Sequence, residues 1–279
     1  MKKILIYLPI LIFIILIFIN YNIVLESTIN ACYIWLYKVF PYLFIMIILN
    51  NILINLNFYQ IFKRPSTYVF IMSLLSGSPT SAYIISNLHK EAIIDNCYAD
   101  TSLLFSYFAN PLFLYTMLNS IFKNNYIVIK LIIIHYISNF IIYLINKNKL
   151  NNYSNKRNNN LTFNLTHSIK EAINTTLMVL GTIIFYLVIS NIIIKSINMP
   201  PSLSLLFRGI LEMTQGLNYL IDENIIYKEI LTIFFLSFGG LSIHTQVKCI
   251  LDEANLDYKY FLKGRTYQTI ISLILTIIF

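Results

Sequence analysis

Short runs of helix-breaking and hydrogen-bonding residues interrupt the apolar stretches of this chain. The first is Ser76-Gly77-Ser78-Pro79-Thr80-Ser81, centred in an apolar segment over 66–88. Asn110-Pro111 interrupts 101–122, and Glu212 with Thr214-Gln215-Gly216 interrupts 202–221. Gly239-Gly240 with Ser242, His244 and Gln246 interrupts 225–250. Proline lacks an N–H and clashes with the preceding turn, so Pro79 and Pro111 each break a helical ladder. In hydrocarbon each freed backbone group costs several kcal/mol, so such breaks persist only where protein buries them or water reaches them. The chemistry on offer is recognition: bare main chain beside short hydroxyl and amide side chains, where a small polar solute can dock. Discontinuous helices of secondary transporters work this way. Taken alone, the first run is equally a proline-kinked helix patched by Ser and Thr.

Glu212 is the acid that stands out. A carboxylate in a membrane element costs at least roughly 2.5 kcal/mol, so it must pair, protonate or line water. One reading is a site for a coupling proton or ion; the other is an ion pair with Arg208 at the i, i+4 spacing. His244 reads either as a proton-linked switch or as a buried hydrogen-bonder. Opposed half-helix N-termini would direct partial positive charge at the membrane midplane, which suits an anion. The first run carries no carboxylate, which favours an anionic or neutral ligand over a cation.

The composition sets the class. Hydrophobic residues make up 57% of the 279 residues and charged residues 11%; a soluble domain carries about 25% charged residues. Several apolar runs reach about 20 residues, the length that spans a bilayer. The net charge of +8 resides in loops and at helix ends, as in membrane proteins, and implies no nucleic-acid partner. Cys32, Cys97 and Cys249 form no CxxC and read as apolar filler. No phosphate-binding loop, HExxH, GxSxG or nucleophile–base spacing occurs, so neither an enzyme, a cofactor nor a metal is expected.

The elements that must position these runs follow in order. Residues 1–25 read as a retained signal-anchor helix, since Asn20-Tyr21-Asn22 offers no small-residue cleavage site. An aromatic helical stretch over 27–39 precedes a span opened by Phe40-Pro41. A polar link over 89–100 follows the first broken segment, and 126–145 reads as a clean span. The Asn- and Lys-rich stretch 147–166 is a cytoplasmic linker. An amphipathic lead-in over 161–171 introduces a span over 172–194. A polar link carrying Lys259, Lys263 and Arg265 leads to a last span over 266–279. If the first broken element of each half is a re-entrant hairpin, every basic cluster falls in the cytoplasm. The halves, 26–146 and 167–279, then have opposite orientation. The expected fold is an all-α polytopic membrane protein: an inverted repeat with two re-entrant hairpins and two broken transmembrane helices.

Five motifs in the same order resemble the YlbJ-type sporulation integral membrane proteins. They are Trp35-x-x-x-Val39-Phe40-Pro41-x-Leu43-Phe44, Ser76-Gly77-Ser78-Pro79, Phe108-Ala109-Asn110-Pro111-Leu112-Phe113, Leu211-Glu212-Met213-Thr214-Gln215-Gly216 and Phe238-Gly239-Gly240-Leu241-Ser242-Ile243-His244-x-Gln246. That family belongs to the wider nucleoside recognition, or Gate, group, similar in design to concentrative nucleoside transporters. The resemblance implies a transporter acting in spore maturation, in the cell membrane or the outer forespore membrane of the mother cell. It is associated with the spore cortex and with passage of dipicolinate, an aromatic dianion. The family usually has Gly-Tyr/Phe-Pro and then Gly-Ala-Lys; here Ser78, Ser81, Ala82 and Tyr83 stand there, without the basic residue. The expected partners are the lipid bilayer, a small-molecule substrate and a coupling ion, H+ or Na+; a homo-oligomer is compatible. The alternatives are a non-transporting scaffold for cortex assembly and a Gate-type transporter of a nucleoside or another small solute.

Overall fold

The computed structural model describes residues 2–62, 64–150 and 164–279, with side chains from Tyr7 onward. Lys63, the side chains of Lys2 and Lys3, and most of the expected linker, 151–163, lie outside the described residues. Among the described residues every regular element is helical. The first are α1 (Lys2–Ile19), α2 (Tyr21–Ile34) and α3 (Phe40–Asn55), the last two joined by a π-helical turn over Trp35–Val39. Next come α4 (Pro65–Ser76), α5 (Thr80–Lys90), α6 (Asn96–Leu103), α7 (Pro111–Phe122) and α8 (Asn125–Asn146). The second half holds α9 (Leu165–Ser196), α10 (Pro201–Leu211), α11 (Met213–Tyr219), α12 (Lys228–Phe238), α13 (Gly240–Glu253) and α14 (Tyr258–Ile278).

Among the described residues four stretches are long and apolar enough to cross a membrane: Tyr21–Asn55, Asn125–Lys149, Leu165–Ser196 and Lys228–Glu253. Their outward faces are bare hydrocarbon, as Ile129, Ile133, Ile137, Phe140 and Leu144 show on α8. The chain is an all-α polytopic membrane protein. Long α9 packs along α2 and α3, and α14 packs along α12 and α8. The short helices lie between these, α4 against α5 and α10 against α11, with α13 reaching α5 and α11 reaching α7.

Local sequence explains the short helices. Each of α4, α7 and α10 opens on a proline, Pro65, Pro111 and Pro201, where its missing N–H loses no intrahelical bond. Side chains cap the free amides that lipid cannot: Asp95 accepts from the Tyr98 N–H, Asn110 from Leu112 and Phe113, and Glu212 from Gln215.

Several expectations change. The polar link over 89–100 is shorter, because α5 runs to Lys90 and α6 begins at Asn96. The lead-in and span expected over 161–194 are one helix from Leu165. The stretch around Lys259, Lys263 and Arg265 is no link but the first half of α14. The expected clean span, now α8, carries buried His135 and Asn139.

Candidate functional site

The site is built where the chain stops being helical. Between α6 and α7 the main chain is non-helical over 106–110. Its polar groups are met from outside. The Ser78 N–H donates to the Phe108 carbonyl at 2.8 Å. Asn139 Nδ2 donates to the Tyr107 carbonyl. His135 Nε2 accepts from the Ala109 N–H at 3.1 Å, and Tyr136 donates its hydroxyl to the Ala109 carbonyl at 3.3 Å. This is the condition for irregular backbone at membrane depth: buried protein groups replace the missing helical partners.

The tip between α4 and α5 docks on this irregular stretch. Gly77 has φ +77°, and a Cβ there would lie 2.8 Å from the Asn110 nitrogen. Glycine is therefore required both by the left-handed backbone and by the close approach. Asn110 Nδ2 donates to the Leu75 carbonyl at 3.0 Å, tying α7 to the end of α4. Ser78 follows, its hydroxyl without a hydrogen-bond partner among the described residues.

In the second half the chain leaves helix at Glu212, with φ −140° and ψ 112°. Glu212 is 2% exposed. Its Oε2 accepts from the Gln215 N–H at 2.7 Å. Gly240, at φ +69°, lies against this tip; a Cβ there would be 2.8 Å from the Met213 nitrogen. The ion pair with Arg208 is not formed. Because Glu212 is extended, helical i, i+4 spacing no longer brings the two side chains together. Arg208 turns away, donating to Asn191 Oδ1 and lying 4.2 Å over the Tyr219 ring.

A cavity of about 80 Å³ opens between the two tips. By the measure in which a water needs roughly 10–15 Å³, it holds several waters or a small solute. Of the expected residues, Ser76, Ser78, Pro79, Asn110, Glu212, Thr214 and Gln246 line it. Gln246 donates across to Thr182 Oγ1 on α9 at 2.9 Å and to Ser242 Oγ at 3.1 Å. The rest do not face the cavity. Gly77, Gly239 and Gly240 shape the tips from behind, and Pro111 opens α7. Thr80, Ser81 and Ser242 are buried. Gln215 bonds Asn191 at 3.0 Å, and Gly216 packs on Gly209 between α10 and α11. His244 has both ring nitrogens engaged, with the Tyr258 hydroxyl at 2.6 Å and the Phe238 carbonyl at 2.9 Å.

The structure adds Lys38 and Tyr107 to this wall, neither of which the motifs single out. Lys38 reaches the cavity from the π-helical turn and donates to Asn218 Oδ1 at 2.9 Å. It shares the cavity wall with Glu212. Tyr107, Phe108 and Phe113 supply aromatic surface. A lone lysine in an apolar helix, and His135 four residues before Asn139, were the available signals. The cavity therefore offers one carboxylate, one ammonium, a free hydroxyl and aromatic faces. That inventory serves binding of a small polar or aromatic solute.

The sporulation integral membrane protein YlbJ of Bacillus subtilis (strain 168) is similar to this chain. The two are 24% identical over 306 residues, covering 87% of this chain and 74% of YlbJ. No family model matches the chain, and no solved structure matches it.

Proposed function

We propose that this protein is an integral membrane transporter that carries a small anion by alternating access, with the cavity as its substrate site. The observation that carries this reading is convergence. The chain breaks at Ser78, Asn110 and Glu212, far apart in sequence, all contribute to one cavity. Buried polar groups at membrane depth are costly and mark solute and ion pathways. In this reading α4–α5 and α10–α11 are re-entrant hairpins, and the two halves form the inverted repeat of a Gate-type transporter. Lys38 and the aromatic wall meet an aromatic carboxylate, and Glu212 carries the coupling proton or ion. The similarity to YlbJ extends the proposal to a role in sporulation. Dipicolinate crossing the outer forespore membrane is its specific form.

The test is uptake of radiolabelled dipicolinate into proteoliposomes, with uridine as the competing solute. Saturable dipicolinate uptake that falls about tenfold in Glu212→Gln supports the proposal; a factor of ten corresponds to roughly 1.4 kcal/mol of lost stabilisation. Uptake of uridine alone moves the substrate class to nucleosides. Absence of uptake of either solute favours a non-transporting scaffold.

A further inference from the structure

Arg265 lies in the first half of α14 at 0% exposure. A guanidinium keeps its charge and carries five N–H donors in a fixed fork. Here Nη1 donates to Gln268 Oε1, while Nε and Nη2 have no hydrogen-bond partner among the described residues. Among the described residues no carboxylate stands within ion-pair distance of it. The guanidinium centre lies 4.1 Å from the Tyr107 ring and 5.2 Å from the Phe261 ring. Ring faces attract a cation but satisfy none of its N–H groups. A buried charge without a counter-ion is costly, and in membrane proteins such residues line ion and substrate pathways.

Tyr107 touches both Arg265 and the cavity. Its main chain is pinned by Asn139. Its ring is buried against His135, Phe261 and Arg265, and its hydroxyl reaches the soft Met213 Sδ at 3.8 Å. The hydroxyl also abuts Gly239, where a Cβ would come within 2.6 Å. The absence of a side chain at Gly239 lets the Tyr107 ring touch the second break on one side and Arg265 on another. Gln268 ties Arg265 to the same region, since its Nε2 donates to the His135 carbonyl at 3.2 Å.

We propose that Arg265 is a cationic contact for the transported anion, reached when the Tyr107 ring turns out of the path from the cavity. This rests on the reading of the chain as an anion transporter. It gives the neutral first tip, which has no basic residue of its own, a guanidinium from the second half. The fork and its free Nε and Nη2 suit a carboxylate, which guanidinium groups bind through two parallel hydrogen bonds.

The experiment compares wild type, R265Q and R265K, each purified intact, using dipicolinate as the probe. Uptake into proteoliposomes and the rise in melting temperature on adding dipicolinate are both read. In R265Q, uptake and affinity should fall about tenfold or more, the loss typical of a charged hydrogen bond. The melting temperature without ligand should hold or rise, because an unpaired buried charge has been removed. R265K keeps the charge but not the fork, and its KM should rise about threefold or more. Wild-type uptake and affinity in R265Q overturn the inference while leaving the transporter reading intact. If R265Q does not fold, an unchanged KM in R265K overturns it. A wild-type protein that neither binds nor carries dipicolinate overturns both.

Discussion

In the first half the tip carries the glycine, and Gly77 presses on the broken element at Asn110; in the second half the broken element carries it, and Gly240 presses on the tip at Met213. The contact is the same, backbone on backbone, with the partners exchanged. The chemistry is not the same. The first tip is neutral and leaves the Ser78 hydroxyl free, whereas the second places a buried carboxylate, Glu212, at the corresponding turn. The irregular stretches differ too. The first runs over 106–110 and draws on His135, Tyr136 and Asn139 of α8 for its backbone bonds. The second is the single residue Gly239, whose N–H still reaches the Phe235 carbonyl at 2.9 Å. Docking geometry can thus be held constant while the carboxylate is confined to one tip.

Substitutions can break this comparison. Gly77→Ala and Gly240→Ala should be the most damaging. Each adds a Cβ where none fits and strain of about 1–3 kcal/mol from the positive φ. Both should depress the melting temperature of the purified protein strongly and alike; tolerance of one alone would show that the two contacts are not equivalent. Next in size come His135→Ala and Asn139→Ala, each leaving buried backbone groups unsatisfied at about 1–3 kcal/mol. Thermal melts should register both losses, and unchanged stability would mean that water already serves the 106–110 backbone. Glu212→Gln is expected to fold normally and to lose uptake about tenfold, equivalent to roughly 1.4 kcal/mol. Ser78→Ala should lose less, sharpening the division between a charged and a neutral tip. The smallest effect belongs to Ser237→Ala, which removes the bond to Ser272 Oγ at 2.7 Å. About 1 kcal/mol is expected, with uptake unaltered.

The breaks were legible in the sequence because proline and paired glycines have few conformational uses inside an apolar run. Pro79, Pro111 and Gly239-Gly240 therefore located the breaks, and Glu212 stood out by cost alone. What the sequence concealed depends on contacts between distant segments. Arg265 reads as one of three basic residues in a cytoplasmic link, since charge bias counts every cation alike. Its burial follows from the register of α14 against Tyr107, which no local pattern encodes. Lys38 points into the cavity through a π-helical turn, whose extra residue shifts the face that helical periodicity would assign. The ion pair expected between Arg208 and Glu212 fails for a related reason, since the helix ends one residue too soon.

The central claim is that water and a small solute reach the main-chain breaks between the two tips. Single cysteines at Ser78 and Thr214, in a background lacking Cys32, Cys97 and Cys249, test it with a membrane-impermeant maleimide. Both positions should react in proteoliposomes, and dipicolinate should slow both reactions. If neither cysteine reacts from either side of the membrane, the breaks are sealed packing and the protein has no solute path between its tips.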